Sequence, residues 1–427
     1  PLYYLFMHAV CSAFQNPPFT KWTGIGLNLF FFSLTQFGLL LLSARLLSDG
    51  EKLELTPPAL LPGLLYGLSA GAASGVVFIR MYAMMTMWAV WLALALVELF
   101  IHGQTVWRMR ALAAVLIAGF LTQYYFVILA CMLCGVYFFA RLARREFETA
   151  GRFALWCFFA LALAVGLFPW CLNHIFGGYR GRGAIESAAG VRLNDMIRWF
   201  KILWQTLDAQ QFGGFLLALV LIGAALAFWP LKKAGQGLKR GAAFSLWALL
   251  ACGAYVLVIS VISPYKVDRY IFCVYPLVTV ALFMLFARGG CRFGSRRSSA
   301  CLLACAVLAA CGARVNRDQQ VHYLYPGDSA YVAACEENAA LPCILHGTND
   351  MTQNTLELAA FERVYMLNAD DAQGVAPALE ALDEKPDGFI LFERYHDEAN
   401  VETVLRETGL ESAEFLFEHQ YHVYWVH

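Results

Sequence analysis

Charge is scarce in this chain. Asp, Glu, Lys and Arg make up 15% of its 427 residues, where a soluble globular protein carries about a quarter. Acidic side chains are rarest of all in the first three-quarters: residues 1–313 hold 10 of them against 25 Lys and Arg. That scarcity excludes an intrinsically disordered chain, a charged coiled coil and an ordinary cytosolic enzyme. Nucleotide-loop signatures are also missing: there is neither G-x-G-x-x-G nor G-x-x-x-x-G-K-[ST]. The basic residues are scattered in short connections and not gathered on one soluble face, which argues against nucleic-acid binding. The 13 cysteines lie mostly inside apolar stretches, where Cys behaves as a small hydrophobe. Cys131 and Cys134 form a C-x-x-C inside such a stretch, without a second pair or a His to make a metal site. Cys335 and Cys343 are a possible disulfide if they face an oxidising compartment.

What is abundant is apolar and aromatic. Hydrophobic residues reach 60%, aromatics 15%, and the mean hydropathy is +0.57. A bilayer crossing needs about 20 mostly apolar residues. Trp22–Leu47, Pro57–Ile79, Met81–Ile101, Phe153–Ile175, Gln211–Trp229, Gly241–Ile262, Tyr270–Ala287 and Ser299–Ala313 qualify. Thr105–Ala140 is too long for one crossing and reads as two short helices meeting at Gln123-Tyr124-Tyr125. The pattern predicts an α-helical polytopic membrane protein of about ten transmembrane helices over residues 1–313.

The overall formal charge is zero, but it is the sum of two opposite halves. Residues 1–313 carry a surplus of 15 positive charges, while residues 314–427 hold 6 basic and 21 acidic side chains. Past residue 314 the texture becomes that of a soluble domain. Cys343–His346, Val364–Leu367 and Gly388–Phe392 read as strands. Ser329–Ala340, Thr352–Phe361, Ala372–Leu382 and Ala399–Thr408 read as helices. Ala413–Phe417 and His422–Val426 suggest a hairpin around His419-Gln420. This alternation predicts a small acidic α/β domain over 314–427. Gly347-Thr348-Asn349-Asp350 reads first as a strand-to-helix turn and second as a binding loop.

Orientation follows from Lys and Arg. Compact clusters at Arg45/Lys52, Arg108/Arg110, Arg141/Arg144/Arg145/Arg152, Lys232/Lys233/Lys239/Arg240 and Arg288/Arg292/Arg296/Arg297 fall on alternate connections. The positive-inside rule places these in the cytoplasm. The Arg80 turn, the Gln123 tip, the loop Phe176–Gln210, the turn Ser263–Asp268 and the C-terminal domain then lie outside. Three cations (Arg80, Lys266 and Arg269) share that surface, and such groups suit a phosphate at headgroup level. Snorkelling to lipid headgroups is the alternative. Gly177–Gly183 is flexible and basic, either a lid over such a site or a passive surface loop, and Asn194–Gln205 with Trp199 and Trp204 suits an interfacial helix.

Four segments stand out in order: Pro1-Leu2-Tyr3-Tyr4-Leu5 followed by His8, Arg80-Met81-Tyr82, Leu121-Thr122-Gln123-Tyr124-Tyr125, and Arg269-Tyr270 with Pro276. They resemble, in turn, the end of the H-P-P-L-Y-Y-x-x-x-H segment, A-R-M-Y, a T-H-Y-Y hairpin tip with Gln in place of His, and R-Y-x-x-x-x-x-P. These are segments of GT-C membrane glycosyltransferases, in the bacterial branch of lipid A aminoarabinose transferases and protein O-mannosyltransferase relatives. The resemblance implies transfer of a sugar from a polyprenyl-phosphate donor to a lipid or glycan acceptor at the outer face of the bacterial cytoplasmic membrane. It implies substrate contacts from Tyr3, Tyr4, His8, Arg80, Tyr82, Gln123, Tyr124, Tyr125, Lys266, Arg269 and Tyr270, and, in some relatives, a divalent metal ion. It places the general base on an acidic residue just upstream of Pro1, so the sequence reads as N-terminally truncated, with no leader visible. Of the outward carboxylates Glu186, Asp195, Asp208 and Asp268, the last sits between Lys266 and Arg269, where an ion pair is expected. A transporter or flippase of lipid-linked saccharides is the competing reading. It needs repeats and polar residues within the membrane; no repeat is evident, and Glu98 is the chief acidic residue inside an expected span.

Overall fold

The computed structural model describes residues 1–13, 20–178, 181–183, 187, 190, 192–228, 236–263, 265–290, 297–313, 321–323, 328–346, 355–367, 388–394, 398–418 and 421–427. The chain divides into two compact units, Pro1–Leu324 and Tyr325–His427. The composition changes at residue 314, but the structural division comes later, so Val321–Tyr323 belong with the helical unit.

Among the described residues of the first unit six helices are long and apolar enough to cross a bilayer: Trp22–Leu47, Tyr82–His102, Tyr125–Ala143, Phe147–Leu167, Gln236–Ile262 and Phe272–Gly289. Two further pairs are broken spans. Pro57–Gly67 and Ala70–Val77 meet at 66°, and Leu193–Gln211 and Leu216–Leu226 meet at 85°. Counting each pair once gives eight, against about ten expected from hydropathy. The difference lies in two helices whose rise falls short of a bilayer core of about 30 Å, Val106–Thr122 and Ser298–Ala313. The expected break at Gln123-Tyr124-Tyr125 is present: one helix ends at Thr122 and the next begins at Tyr125.

The helix Tyr82–His102 orders the unit, because its ends mark two different chemistries. At its C-terminal end Arg45 Nε donates to Glu98 at 2.5 Å, Arg141 donates to the Leu99 carbonyl, and Arg108 donates to the His102 carbonyl. Arg240 reaches the Arg45 carbonyl. Four of the five expected basic clusters thus meet at one end, with Glu98 neutralised by Arg45 and approached by His102 at 3.4 Å. The N-terminal end at Tyr82 lies about 30 Å away at 1.5 Å per residue. There the chain leaves regular helix twice, at Phe78–Met81 and at Ser263–Val274.

The first break and the two bent pairs are held by specific contacts. The buried Asn28 amide donates to the Val76 and Phe78 carbonyls at 3.0 and 2.8 Å, replacing the helical bonds that end at Val77. Ser69 caps the second half of the broken span by accepting from the Ala72 amide. Gly71 has the Tyr275 ring directly against its Cα, leaving no room for a Cβ. Asp208 turns the 85° corner, accepting from the amides of Gly214 and Leu216 at 3.0 and 2.9 Å. The expected interfacial helix is longer than Asn194–Gln205, running over Leu193–Gln211.

The second unit is a five-stranded sheet in the order β2-β1-β3-β5-β4, with β1 Cys343–His346, β2 Val364–Leu367, β3 Phe389–Glu393, β4 Ala413–Glu418 and β5 His422–Val426. The first three strands are parallel; β4 and β5 form the antiparallel hairpin. Helices Asp328–Glu337, Thr355–Leu358 and Glu398–Thr408 accompany it. β1 and β3 are buried throughout, as central strands covered on both faces are. The helix expected at Ala372–Leu382, the loop Gly347–Asp350 and the hairpin tip His419-Gln420 lie outside the described residues. Cys335 and Cys343 are both free thiols in one core cluster, not a disulfide, and burial pushes the Cys335 thiol up to about 12.

Candidate active site

The site is built at the Tyr82 end of the helical unit around the ring of Phe78. The Arg80 guanidinium carbon lies 5.9 Å from the centre of that ring and the Arg269 guanidinium carbon 5.6 Å. The two cations come from segments nearly 190 residues apart and converge on one aromatic ring. Among the described residues no carboxylate lies within ion-pair distance of either. Arg269 packs over the Tyr270 ring too, at 5.6 Å, and its buried Nε has no hydrogen-bond partner.

Aromatic rings wall the two guanidinium groups. Tyr82 stacks on Phe78 with centroids 5.7 Å apart, and Tyr323 stacks on it at 4.1 Å. Tyr270 meets Tyr82 edge-on at 6.0 Å and Tyr125 at 4.9 Å. The Tyr270 carbonyl is pinned by the Tyr255 hydroxyl at 2.6 Å. The three motifs Arg80-Met81-Tyr82, Gln123-Tyr124-Tyr125 and Arg269-Tyr270 therefore each send a side chain to one place.

Other expected site residues fall elsewhere. Tyr3 is buried and donates to Asn28 Oδ1 at 3.1 Å, so it supports the turn that carries Phe78 and Arg80. Tyr4 is half exposed with its hydroxyl on Met81 Sδ, and His8 is exposed. Gln123 accepts from the Tyr124 amide, capping the hairpin tip. Tyr124 turns toward His174, with its hydroxyl 3.0 Å from Nδ1. Lys266 folds onto Trp199, its Nζ 4.1 Å from the ring centre, and donates to the Ser263 carbonyl; burial lowers its pKa. It joins the interfacial-type helix and not the pair of arginines.

Of the four carboxylates expected to face outward, among the described residues only Asp268 belongs to the site. Asp195 pairs with Arg198, Asp208 caps a corner, and Glu186 lies outside the described residues. Asp268 does not form the ion pair expected with Lys266 or the Arg269 side chain. Its carboxylate is 4% exposed and has four polar partners. Tyr323 Oη and the Arg269 amide donate to Oδ1 at 2.6 and 2.7 Å; Gln210 Nε2 and His322 Nδ1 approach Oδ2 at 3.0 and 2.6 Å. Tyr275 donates to Gln210 Oε1 at 2.8 Å, which fixes the way the Gln210 amide faces. Burial and the adjacent carboxylate push the Tyr323 hydroxyl upward, so it stays a donor.

Phe78, Gln210, His322 and Tyr323 have no counterpart in the sequence reading. His322-Tyr323 lies beyond the change in composition and so reads as part of the acidic domain. A His-Tyr pair within ten residues of the last apolar helix was the available signal. Among the described residues no three His, Cys, Asp or Glu side chains gather as metal ligands. With both Asp268 oxygens already engaged by protein groups, the described residues here do not fit a divalent ion.

The sequence matches no protein-family model, and no curated protein matches it. Solved structures do share its fold. ArnT from Cupriavidus metallidurans, determined bound to undecaprenyl phosphate, aligns with a TM-score of 0.53 at 11% identity, covering 95% of this chain and 84% of that one. The arabinofuranosyltransferase AftD from mycobacteria aligns with a TM-score of 0.50 at 15% identity, covering 98% of this chain and 34% of that one. At these identities the likeness is one of fold: a polytopic helical unit with a small C-terminal sheet.

Proposed function

We propose that the protein is a membrane glycosyltransferase that moves a hexosyl or pentosyl unit from a polyprenyl-phosphate carrier to a lipid or glycan acceptor at the outer face of the bacterial cytoplasmic membrane. The observation that carries this is the convergence of Arg80 and Arg269 on Phe78 without a carboxylate partner among the described residues. A donor of this class carries one negative charge on its phosphodiester and gains a second as the sugar leaves. Two cations set beside that phosphate stabilise the departing group more than the bound donor, which is what lowers a barrier. The shared fold with ArnT, whose structure holds undecaprenyl phosphate, supports the same ligand class. The gathering of basic clusters at the far end of the Tyr82–His102 helix supports an outward-facing site. The Tyr325–His427 unit is assigned to that outer side as well. The transporter reading loses its main residue, because Glu98 is paired with Arg45 at the other end.

The test uses full-length protein in proteoliposomes, a panel of radiolabelled polyprenyl-phosphate sugars, and an envelope lipid extract as acceptor. The expected result is label on the acceptor fraction and release of polyprenyl phosphate, with undecaprenyl phosphate competing. If labelled donor crosses the bilayer intact, or none is consumed and undecaprenyl phosphate fails to bind, the reading is wrong.

A further inference from the structure

A second aromatic ring flanked by two cations lies apart from the first. Lys266 Nζ sits 4.1 Å from the centre of the Trp199 ring, and the Arg198 guanidinium carbon lies 5.9 Å from the same centre. An aromatic ring positions a cation without neutralising it. Arg198 also pairs with Asp195 at 3.2 Å, the one ion pair of the helix Leu193–Gln211 among the described residues. Arg192 and Lys201 are exposed at the start and on the outer side of that helix. Asp208, at its far end, is spent on the corner. Four cations on this helix and the neighbouring turn therefore stand against one paired carboxylate.

The corner decides where this helix lies. Leu193–Gln211 meets Leu216–Leu226 at 85°, so only one of the two can follow the bilayer normal. Leu216–Phe228 has no charged residue and takes that course, which sets Leu193–Gln211 across it. One face of the crossing helix is fixed to the protein: Leu203 and Leu207 are buried, and Gln210 Nε2 donates to Asp268. The other face exposes Leu193 by 66% and Ile197 by 56%, interleaved with exposed Arg198 and Lys201. Water disfavours the apolar pair and hydrocarbon the cations. The boundary between headgroups and acyl chains accepts both.

We propose that the Trp199 cluster binds the phosphate of an anionic phospholipid, as a lipid site separate from that of the donor. Arg198 and Lys266 supply charge-assisted donors to the phosphodiester, while Leu193 and Ile197 meet acyl chain. A zwitterionic headgroup answers its phosphate with its own ammonium. Phosphatidylglycerol leaves that charge for the protein, and a surplus of cations selects it. The chain joins this site to the first. Lys266 lies three residues before Arg269 and donates to the Ser263 carbonyl at the start of the same turn. Gln210, near the end of the helix, holds Asp268, which accepts from the Arg269 amide. A lipid that fixes helix and turn therefore fixes Arg269, and transfer rises with it. That consequence rests on the glycosyltransferase reading above; the lipid binding does not.

The experiment compares wild type with Arg198→Gln, Lys266→Gln and the double variant. Arg198, with its side chain 66% exposed, is the probe that leaves the fold intact, and thermal denaturation checks this. Native mass spectrometry of the full chain, titrated with phosphatidylglycerol and with phosphatidylcholine, reads lipid binding. Transfer is read in phosphatidylcholine proteoliposomes with and without phosphatidylglycerol. Wild type is expected to retain phosphatidylglycerol in preference, and each substitution to weaken that about fivefold, the worth of one cation at an anionic surface. In phosphatidylcholine alone Arg198→Gln should transfer within about twofold of wild type, as an exposed side chain does. Added phosphatidylglycerol should raise the wild-type rate about fivefold, the low end of site-to-site coupling, and leave the double variant unchanged. Equal phosphatidylglycerol binding by wild type and folded Arg198→Gln would overturn the site. An equal gain in rate for both would overturn it too, since bulk surface charge would then be the cause. A raised acceptor KM for Arg198→Gln in phosphatidylcholine alone would make the cluster an acceptor contact and sink the phospholipid assignment. If the lipid preference and its loss appear as expected but no vesicle supports transfer, the lipid site stands and the glycosyltransferase reading has failed.

Discussion

Arg269→Ala is the sharpest perturbation of the proposed phosphate site. The Arg269 guanidinium sits between the rings of Phe78 and Tyr270 at 5.6 Å from each and has no carboxylate to answer it among the described residues. A hydrogen bond to a charged group is worth about 1.5–3 kcal/mol, and about 1.4 kcal/mol is a factor of ten. Removing one such contact should weaken undecaprenyl phosphate binding about 10- to 150-fold. The transfer rate should fall at least as far, because the leaving phosphate carries more charge than the bound donor. Two cation–π contacts vanish as well, at about 0.5–1 kcal/mol each, so a modest loss of thermal stability accompanies the change. Arg269→Lys keeps the charge but not the planar fork and should recover only part of the affinity. The assay is transfer rate against donor concentration for both variants, alone and combined with Arg80→Ala. If the two arginines grip one phosphate, the double variant loses less than the product of the single losses. A folded Arg269→Ala protein with kcat/KM within threefold of wild type would refute the phosphate contact.

Three further outcomes follow from the same geometry. Phe78→Ala removes the stacks with Tyr82 and Tyr323 and the surface under both arginines; about 2–4 kcal/mol of stability should go, read by thermal denaturation in detergent, together with a drop in transfer. Gly71→Val drives a side chain into the Tyr275 ring and should cost about 1–3 kcal/mol while displacing Gln210. Gly75→Ala, whose Cβ would meet Phe272 at 3.6 Å, serves as the tolerated control. Glu98→Gln leaves Arg45 without its partner and should lower stability by about 1–2 kcal/mol, since the pair is only partly buried. Transfer should stay within twofold, measured in the same proteoliposomes; a lost activity would revive the transporter reading.

The membrane class, most of the apolar helices and the described strands of the C-terminal unit were legible in the sequence, although helix ends shifted, as from the expected Phe153–Ile175 to Phe147–Leu167. Apolar run length and alternation report what each segment can bury, and that is decided locally. The break at Gln123-Tyr124-Tyr125 and the hairpin Ala413–Val426 were readable for the same reason. The resemblance also brought Arg80, Tyr82, Tyr125, Arg269 and Tyr270 to notice before any coordinates. Their meeting on Phe78 was not readable, because it depends on where two non-helical turns from distant segments come to rest. Lys266 shows the limit. Beside Asp268 and Arg269 it looks like a third phosphate ligand, but one turn of chain sends it to Trp199 instead. Tyr3 shows it again, a motif tyrosine spent on holding Asn28.

Sequence alone therefore determined which parts of this chain seek lipid and which seek water, since solvent preference is a property of short stretches. It also marked the polar residues stranded between apolar helices as candidates for chemistry. Only the tertiary structure decided their partners. Asp268 has cations on both sides in sequence, yet its polar partners are Tyr323, Gln210, His322 and a backbone amide. A buried carboxylate must fill its hydrogen-bonding sites with whatever polar groups the packing delivers. Here the packing delivered a histidine from beyond the last membrane helix, 54 residues along the chain.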